Sequence, residues 1–263
     1  ELRYSAEKPG SLGGRISLQS AQGAKPTANA TSLTFDGTMP NSLRHAAMAR
    51  VLPVGGKVRA DGDVLVFENC DSLVILLNAR TDYKPDFKSN WRGDAPLPRL
   101  TAEIDAAARK DFAQLLTAHV SDLGKLLDRA NIDLGTTPAD LLAKPTDERK
   151  KLYAAGGEDP DLEELMFQYG RYLLASCSRP GGLPANLQGL WNNSNTPPWA
   201  SDYHNNINVQ MNYWHAETTN LSECHRPLID YIIAQAEPCR IATRKAFGPQ
   251  TRGWTARTSQ NIF

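Results

Sequence analysis

The chain is 263 residues long, with 41% hydrophobic and 22% charged residues, and its basic and acidic side chains balance at 29 each. Such a length can bury a sizeable core in one large domain or two ordinary ones. A formal net charge of zero gives no electrostatic reason to bind nucleic acid or an anionic membrane. The longest apolar run, Leu73 to Leu77, is far short of the roughly 18 residues of a membrane span. A neutral polyol such as a sugar suits this composition better. Cys70, Cys177, Cys224 and Cys239 are scattered and form no Cys-x-x-Cys pair, so they read as buried free thiols. No metal or other cofactor is expected. The chain opens on Glu1 without a signal-peptide pattern, which reads as a processed or truncated start.

Residues 1 to about 85 read as strands and turns. Arg15 to Gln19 alternates apolar and polar residues with period two. The stretch Leu52 to Phe67 is punctuated by Gly55-Gly56 and Asp61-Gly62, both hairpin signals. Asp71 to Leu77 reads as a strand buried on both faces. Four to six antiparallel strands without evident closure suggest the C-terminal part of a larger β domain, of sandwich type.

Residues 83–100 are polar and proline-rich and read as a linker, part of a connecting region over 86–154. From Thr101, a candidate N-cap, the apolar period lengthens. Ile104, Phe112, Leu115, Leu116, Val120, Leu123, Leu126 and Leu127 predict one amphipathic helix over about 102–130. Asp159-Pro160 is a helix start, with the helix running to about Cys177. Residues 178–206 are irregular. Further helices are predicted over about 208–220 and 226–246, the second kinked or broken at Pro238. From about 101 onward the chain is expected to be almost entirely helical, giving an α+β multidomain fold.

The segment that carries chemistry runs from Arg179 to Trp214. It holds Trp191, Trp199 and Trp214, and ten carboxamides: Asn186, Gln188, Asn192, Asn193, Asn195, Asn205, Asn206, Asn208, Gln210 and Asn212. Aromatic faces stack on sugar rings, and carboxamides both donate to and accept from hydroxyls. The plain alternative is an Asn-rich loop whose side chains satisfy their own backbone.

The strings Leu187-Gln-Gly-Leu-Trp191, Pro198-Trp199, Asp202-Tyr-His204, Asn206-Ile-Asn208, Gln210-Met-Asn-Tyr-Trp214 and Ala216-Glu217 strongly resemble glycoside hydrolase family 95. Asn220 to Cys224, Pro227-Leu228 and Phe167 to Leu174 fit as well. The resemblance is dense over about 146–230 and looser over the β region, at Asn69-Cys-Asp71 and Thr81-Asp-Tyr83. It implies an α-L-fucosidase, with α-1,2 linkages common and some members acting on α-L-galactosides. The implied architecture is an N-terminal β domain, a helical linker, an (α/α)6 barrel and a C-terminal β domain. On that scheme 1–85 ends the β domain, 86–154 is the linker with its long helix, and 155–263 supplies the first barrel helices.

The resemblance also implies inversion at the anomeric carbon. Asn206 and Asn208 would hold the water, polarised by a distant Asp, and a downstream Glu would be the general acid. His204 would be a sugar ligand, with Trp199, Asp202 and Trp214 on the substrate side. Bottom-up geometry adds a condition. Residues i and i+2 diverge by about 200° on a helix but point the same way on extended chain, so the pair can share a water only where the helix has not begun. Glu217, Glu223, His215 and His225 read as structural, and Asp202 as a partner of His204 or a cap. The implied partners are a fucosylated glycan and the rest of the polypeptide completing the barrel, and the implied location is secreted or periplasmic. An α-L-galactosidase or a non-catalytic glycan-binding protein is the alternative.

Overall fold

A computed structural model describes residues 1–261 as two compact units, 1–119 and 120–263, within those bounds. The first unit is built on one six-stranded antiparallel sheet of β1 (Leu2–Ser5), β2 (Leu12–Ile16), β3 (Thr27–Asn29), β4 (Ser32–Thr38), β5 (Arg44–Asp61) and β6 (Val64–Thr81). The order is β1-β6-β5-β4-β3, and β2 also pairs with β6. The 18-residue strands β5 and β6 form one long hairpin, closed by Gly62-Asp63 between the paired Asp61 and Val64. Gly62 has φ +65°, the left-handed value such tight loops demand.

Gly55-Gly56, expected to mark another hairpin, is instead a bulge inside β5, where the register slips between Val54 and Gly55. Their φ values of +66° and +56° are absorbed by the ladder, which bends but does not turn back. A Cβ on Gly56 would lie 2.2 Å from the Glu68 carbonyl oxygen, so no other residue fits. Period-two alternation on β5 divides two cores. Ala49 and Val51 pack with Leu33, Leu65 and Leu73 on one face, whereas Ala46 and Met48 pack with Leu100 and Ile104. Asp71 to Leu77 is less buried than expected: Leu73 and Leu76 are enclosed, but Leu77 is 57% exposed.

Leu100 and Ile104 belong to α1 (Pro96–Ala108), which begins inside the segment expected to be a linker. Pro96 is the reason: at the first helical position its missing N–H costs nothing and its φ is already helical. Thr101, expected as the cap, lies within α1 and donates its hydroxyl to Leu97 O at 2.9 Å. The helix expected over 102–130 is two helices, because α2 (Phe112–Leu127) starts afresh. Asp111 Oδ1 accepts from Gln114 N at 2.8 Å, and Gln114 Oε1 accepts from Asp111 N at 3.0 Å. This reciprocal cap satisfies orphan donors and outweighs a continuous apolar period.

Short helices α3 (Ala139–Leu142) and α4 (Thr146–Ala154) lead to α5 (Pro160–Cys177). Asp159 caps α5 by accepting from Leu162 N, and it also joins Arg149 through two hydrogen bonds of 2.9 and 2.7 Å. Thr137 Oγ1 donates to the same carboxylate at 2.7 Å, and Asp159 is only 1% exposed. The Arg149 guanidinium holds the Asp159 carboxyl down at about 2. Because the folded value lies below the unfolded one of about 3.9, the stabilisation is complete above about pH 4 and fades as pH falls through about 2. Denaturant midpoints measured between pH 5 and pH 2 should drop steeply for the native chain. The drop should be shallower for Asp159→Asn, which starts less stable; parallel curves would refute this assignment.

The remaining elements are β7 (Tyr203–His204), α6 (Asn208–Thr218), α7 (Ser222–Phe247) and β8 (Ser259–Gln260). Pro238 does not break α7, which runs on past it for another turn and more. The two-residue β7 corrects the expectation of an almost wholly helical region: it pairs antiparallel with β8. A compact core gathers Leu126, Leu174, Val209, Ala216 and Leu228 from α2, α5, α6 and α7, with Leu221 at the N-cap of α7. All four cysteines are buried and free, and burial pushes the Cys177 thiol up to about 11.

Candidate functional site

The irregular chain between α5 and α6 is fastened at both ends by buried phenols. Tyr213 on α6 accepts from Ala185 N at 2.8 Å and shares a 2.7 Å bond with Ser178 Oγ. Ser178 in turn donates to Cys224 O, and burial lifts the Tyr213 hydroxyl to about 12, so it stays protonated. Tyr203 donates to Pro184 O at 3.0 Å while its ring lies 4.7 Å from that of Tyr231. Loop ends held this firmly give the residues between them a fixed platform.

The middle of the segment is strained. Trp199, Ala200 and Ser201 have φ values of +55°, +56° and +54°, three successive non-glycine residues in the left-handed region. Each costs roughly 1–2 kcal/mol, and such strain persists only where its surroundings impose it. Ser201 Oγ is tied to Gln188 Oε1 and to Asn186 Oδ1, which pins the end of the turn. The turn thrusts Trp199 outward, 77% exposed. The indole still meets the ring of His204 edge-on at 5.8 Å. His204 sits on β7, and the next residue continues that attachment, with Asn205 N donating to Thr258 O at 2.7 Å and its side chain to Arg257 O at 3.0 Å.

His204 Nε2 stands 2.7 Å from Asp202 Oδ1, and both side chains are largely covered. The N–H is not aligned on that oxygen, and among the described residues buried Asp202 Oδ1 accepts no hydrogen bond. Asn206 follows in a turn, and Asn208 is the first residue of α6, after Ile207 at φ −161° and ψ −33°. The two asparagines therefore do not lie within one regular helix, although the turn that joins them to α6 is not extended chain either.

The carboxamides divide cleanly. Asn186, Asn192, Asn205, Asn212, Gln188 and Gln210 all engage neighbouring backbone or side chains, as the plain loop reading expects, and Asn195 has a partner too. Among the described residues the side chains of Asn193, Asn206 and Asn208 have no hydrogen-bond partner, and only the last two neighbour His204. Trp214, 63% exposed on α6, stands outside the ring and charge contacts that join Trp199, Asp202 and His204.

A separate hollow of about 450 Å³ opens between α5, α6 and the loop, walled in part by Gly170, Leu174, Asn186, Trp191, Asn212 and His215. None of the six residues expected at the site is among its walls. His215 is half-buried there, and burial lowers its pKa. His225 bonds Glu217 Oε1 at 2.8 Å and stacks on Tyr213, and Glu223 pairs with Arg129. The contacts of Glu217, Glu223 and His225 are with neighbouring side chains, whereas His215 Nε2 is buried with no hydrogen-bond partner among the described residues. Ser178, Asn186, Ser201 and Tyr213 escaped the sequence reading as positioning groups. Their only signal was the density of polar residues around the loop.

Residues 111–263 match the glycosyl hydrolase family 95 catalytic domain, and residues 2–86 match the glycosyl hydrolase family 65 N-terminal domain. Alpha-L-fucosidase 2 of Arabidopsis thaliana is 35% identical over 243 residues, 91% of this chain and 28% of that protein. Probable alpha-fucosidase A of Aspergillus niger is 37% identical over 174 residues, 66% of this chain and 22% of that protein. The protein of the same name from Aspergillus oryzae is 30% identical over 234 residues, 85% of this chain and 32% of that protein. The chain thus spans between 22% and 32% of the length of these curated relatives. With more than half of its residues inside the catalytic-domain match, the chain belongs to glycosyl hydrolase family 95.

Proposed function

We propose that the chain forms part of an inverting α-L-fucosidase acting on α-1,2-linked fucose in glycans. The carrying observation is the pair Asn206 and Asn208, whose carboxamides are unengaged beside His204 while most others in the loop are bound internally. In this reading they hold the attacking water. Trp199, Trp214 and the His204–Asp202 pair receive the sugar. The names of the relatives support a fucoside as substrate.

A carboxamide orients water but is too weak a base to take its proton, so a carboxylate must assist. Inversion also needs an acid about 6.5–9.5 Å from the base group, leaving room for that water. Glu217 and Glu223 are already committed to Ser222, His225 and Arg129. Following the family resemblance, which puts both groups well downstream of this motif, the general acid and the polarising Asp are assigned to sequence outside this chain. That remainder would complete an (α/α)6 barrel after the helices from 155 onward, follow a sandwich-type β domain ending near 85, and belong to a secreted or periplasmic enzyme.

The test is incubation of a 2′-fucosylated oligosaccharide with purified 1–263 and with the complete polypeptide, followed by NMR of the released sugar. The complete enzyme should release fucose first as the β anomer, and 1–263 alone should release none at an appreciable rate. Fucose released by 1–263 would overturn the placement of the acid, and first-formed α anomer would overturn inversion. Preference for an α-L-galactoside would move the substrate assignment, and binding without turnover would indicate a glycan-binding protein.

A further inference from the structure

We infer that Asp202 is a positioning residue, which fixes the ring of His204 with Nε2–H turned to its own carboxylate and Nδ1 left to accept from a sugar hydroxyl. This rests on the substrate-side role proposed for His204. Two observations carry it, together with two general rules about buried hydrogen bonds. Asp202 Oδ1 is buried and accepts no aligned hydrogen bond, while His204 Nε2 lies 2.7 Å away. A buried carboxylate oxygen left unpaired is costly, so a small rotation of the imidazole that aligns the N–H is favoured. Catalytic and binding hydrogen bonds are commonly misaligned before the ligand arrives and tighten when it binds.

The surroundings leave the ring little other freedom. The edge-on contact with Trp199 at 5.8 Å closes one side. Pairing of Tyr203 and His204 with Gln260 and Ser259 fixes the backbone that carries the imidazole. The left-handed turn at 199–201 delivers Asp202 to its place, and Asp202 N donates to Trp199 O at 3.3 Å. Among the described residues Nδ1 has no hydrogen-bond partner, so it is the nitrogen left to accept from a ligand. In neutral imidazole one nitrogen donates and the other accepts, so a partner that takes Nε2–H makes Nδ1 the acceptor. Asp202 thereby acts through His204 and need not touch the sugar.

The experiment is a double-mutant cycle in the complete enzyme, with KM and kcat measured for Asp202→Ala, His204→Ala and the double variant. Loss of a group that orients a metal-ligating histidine typically costs 10- to 100-fold, and a similar dependence on orientation is expected for a histidine that accepts from a sugar hydroxyl. Asp202→Ala should raise KM by about tenfold or more in the native background and leave it unchanged in the His204→Ala background. Asp202→Glu should recover part of the loss. Equal effects of Asp202→Ala in both backgrounds, or none in the native one, would overturn the assignment. Nitrogen-15 solid-state NMR of histidine-labelled enzyme gives a readout independent of turnover, with the His204 signals identified by their absence from His204→Gln. A protonated Nε2 and bare Nδ1 at His204, redistributed in Asp202→Ala, is the expected result. A protonated Nδ1 in the native protein would overturn the inference even if the enzyme proved inactive on fucosides.

Discussion

Arg171→Met is expected to cost the helical unit about 3–5 kcal/mol, a large fraction of a typical domain's stability. Arg171 is 1% exposed and lies on α5, and among the described residues no carboxylate forms an ion pair with its guanidinium. Its donors instead serve the last carbonyls of α2, with bonds of 2.8 Å to Leu126 O and 2.6 Å to Leu127 O. Further bonds reach Ala130 O at 2.8 Å, Gln168 Oε1 at 2.8 Å and Thr219 O, just past α6, at 3.2 Å. A cation at a helix C-terminus answers both the orphan carbonyls and the negative end of the helix dipole. Methionine would fill much of the volume but strand the buried Leu126 O and the part-buried Leu127 O, Thr219 O and Gln168 Oε1, while Ala130 O keeps its bond from Gln168. Lysine restores a charge but not the planar fork, so Arg171→Lys should fall between. Urea midpoints followed by far-ultraviolet circular dichroism decide the matter, and a native-like midpoint for Arg171→Met would refute the role.

The second large effect is catalytic and should leave stability alone. The complete enzyme carrying Asn206→Ala together with Asn208→Ala is expected to lose about 10²- to 10⁴-fold in kcat, with its melting temperature little changed. Neither side chain has a hydrogen-bond partner among the described residues, so truncation strands no internal donor or acceptor. Substitutions at such positions usually fall within about 0.5 kcal/mol of neutral. KM should change less than kcat, because the water, not the sugar, loses its holder. Near-normal turnover would refute the water-holding role. A large drop in melting temperature would show that the pair serves the fold instead.

Much of the architecture was legible in the chain. Period-two alternation and Asp61-Gly62 located the long hairpin, since side-chain direction in a strand is a local property. Asp159-Pro160 located the start of α5, because cap and first-turn geometry need only adjacent residues. The same local chemistry was underweighted at Pro96 and at Asp111 with Gln114, where a proline start and a reciprocal cap overrode the apolar period. Gly55-Gly56 was misassigned because two glycines permit a turn and a bulge equally. The choice lay with Glu68 and Asn69 on the opposite strand, whose backbone leaves no room for a side chain at Gly56.

The site divides along the same line. Sequence alone determined which residue types stand at 199, 202, 204, 206 and 208, and those types carried the family resemblance. It left undecided which carboxamides are free, because a hydrogen-bond partner can lie far along the chain. Asn205 finds its partners at 257, 258 and 260, and Asn212 finds its own at 185 and 186. Only tertiary structure could subtract those bonds and leave Asn206 and Asn208 unengaged. The left-handed turn was equally out of reach of local rules, since Trp, Ala and Ser all disfavour it. It exists because Ser201 is held by Asn186 and Gln188 and because two buried tyrosines fix the loop that carries them.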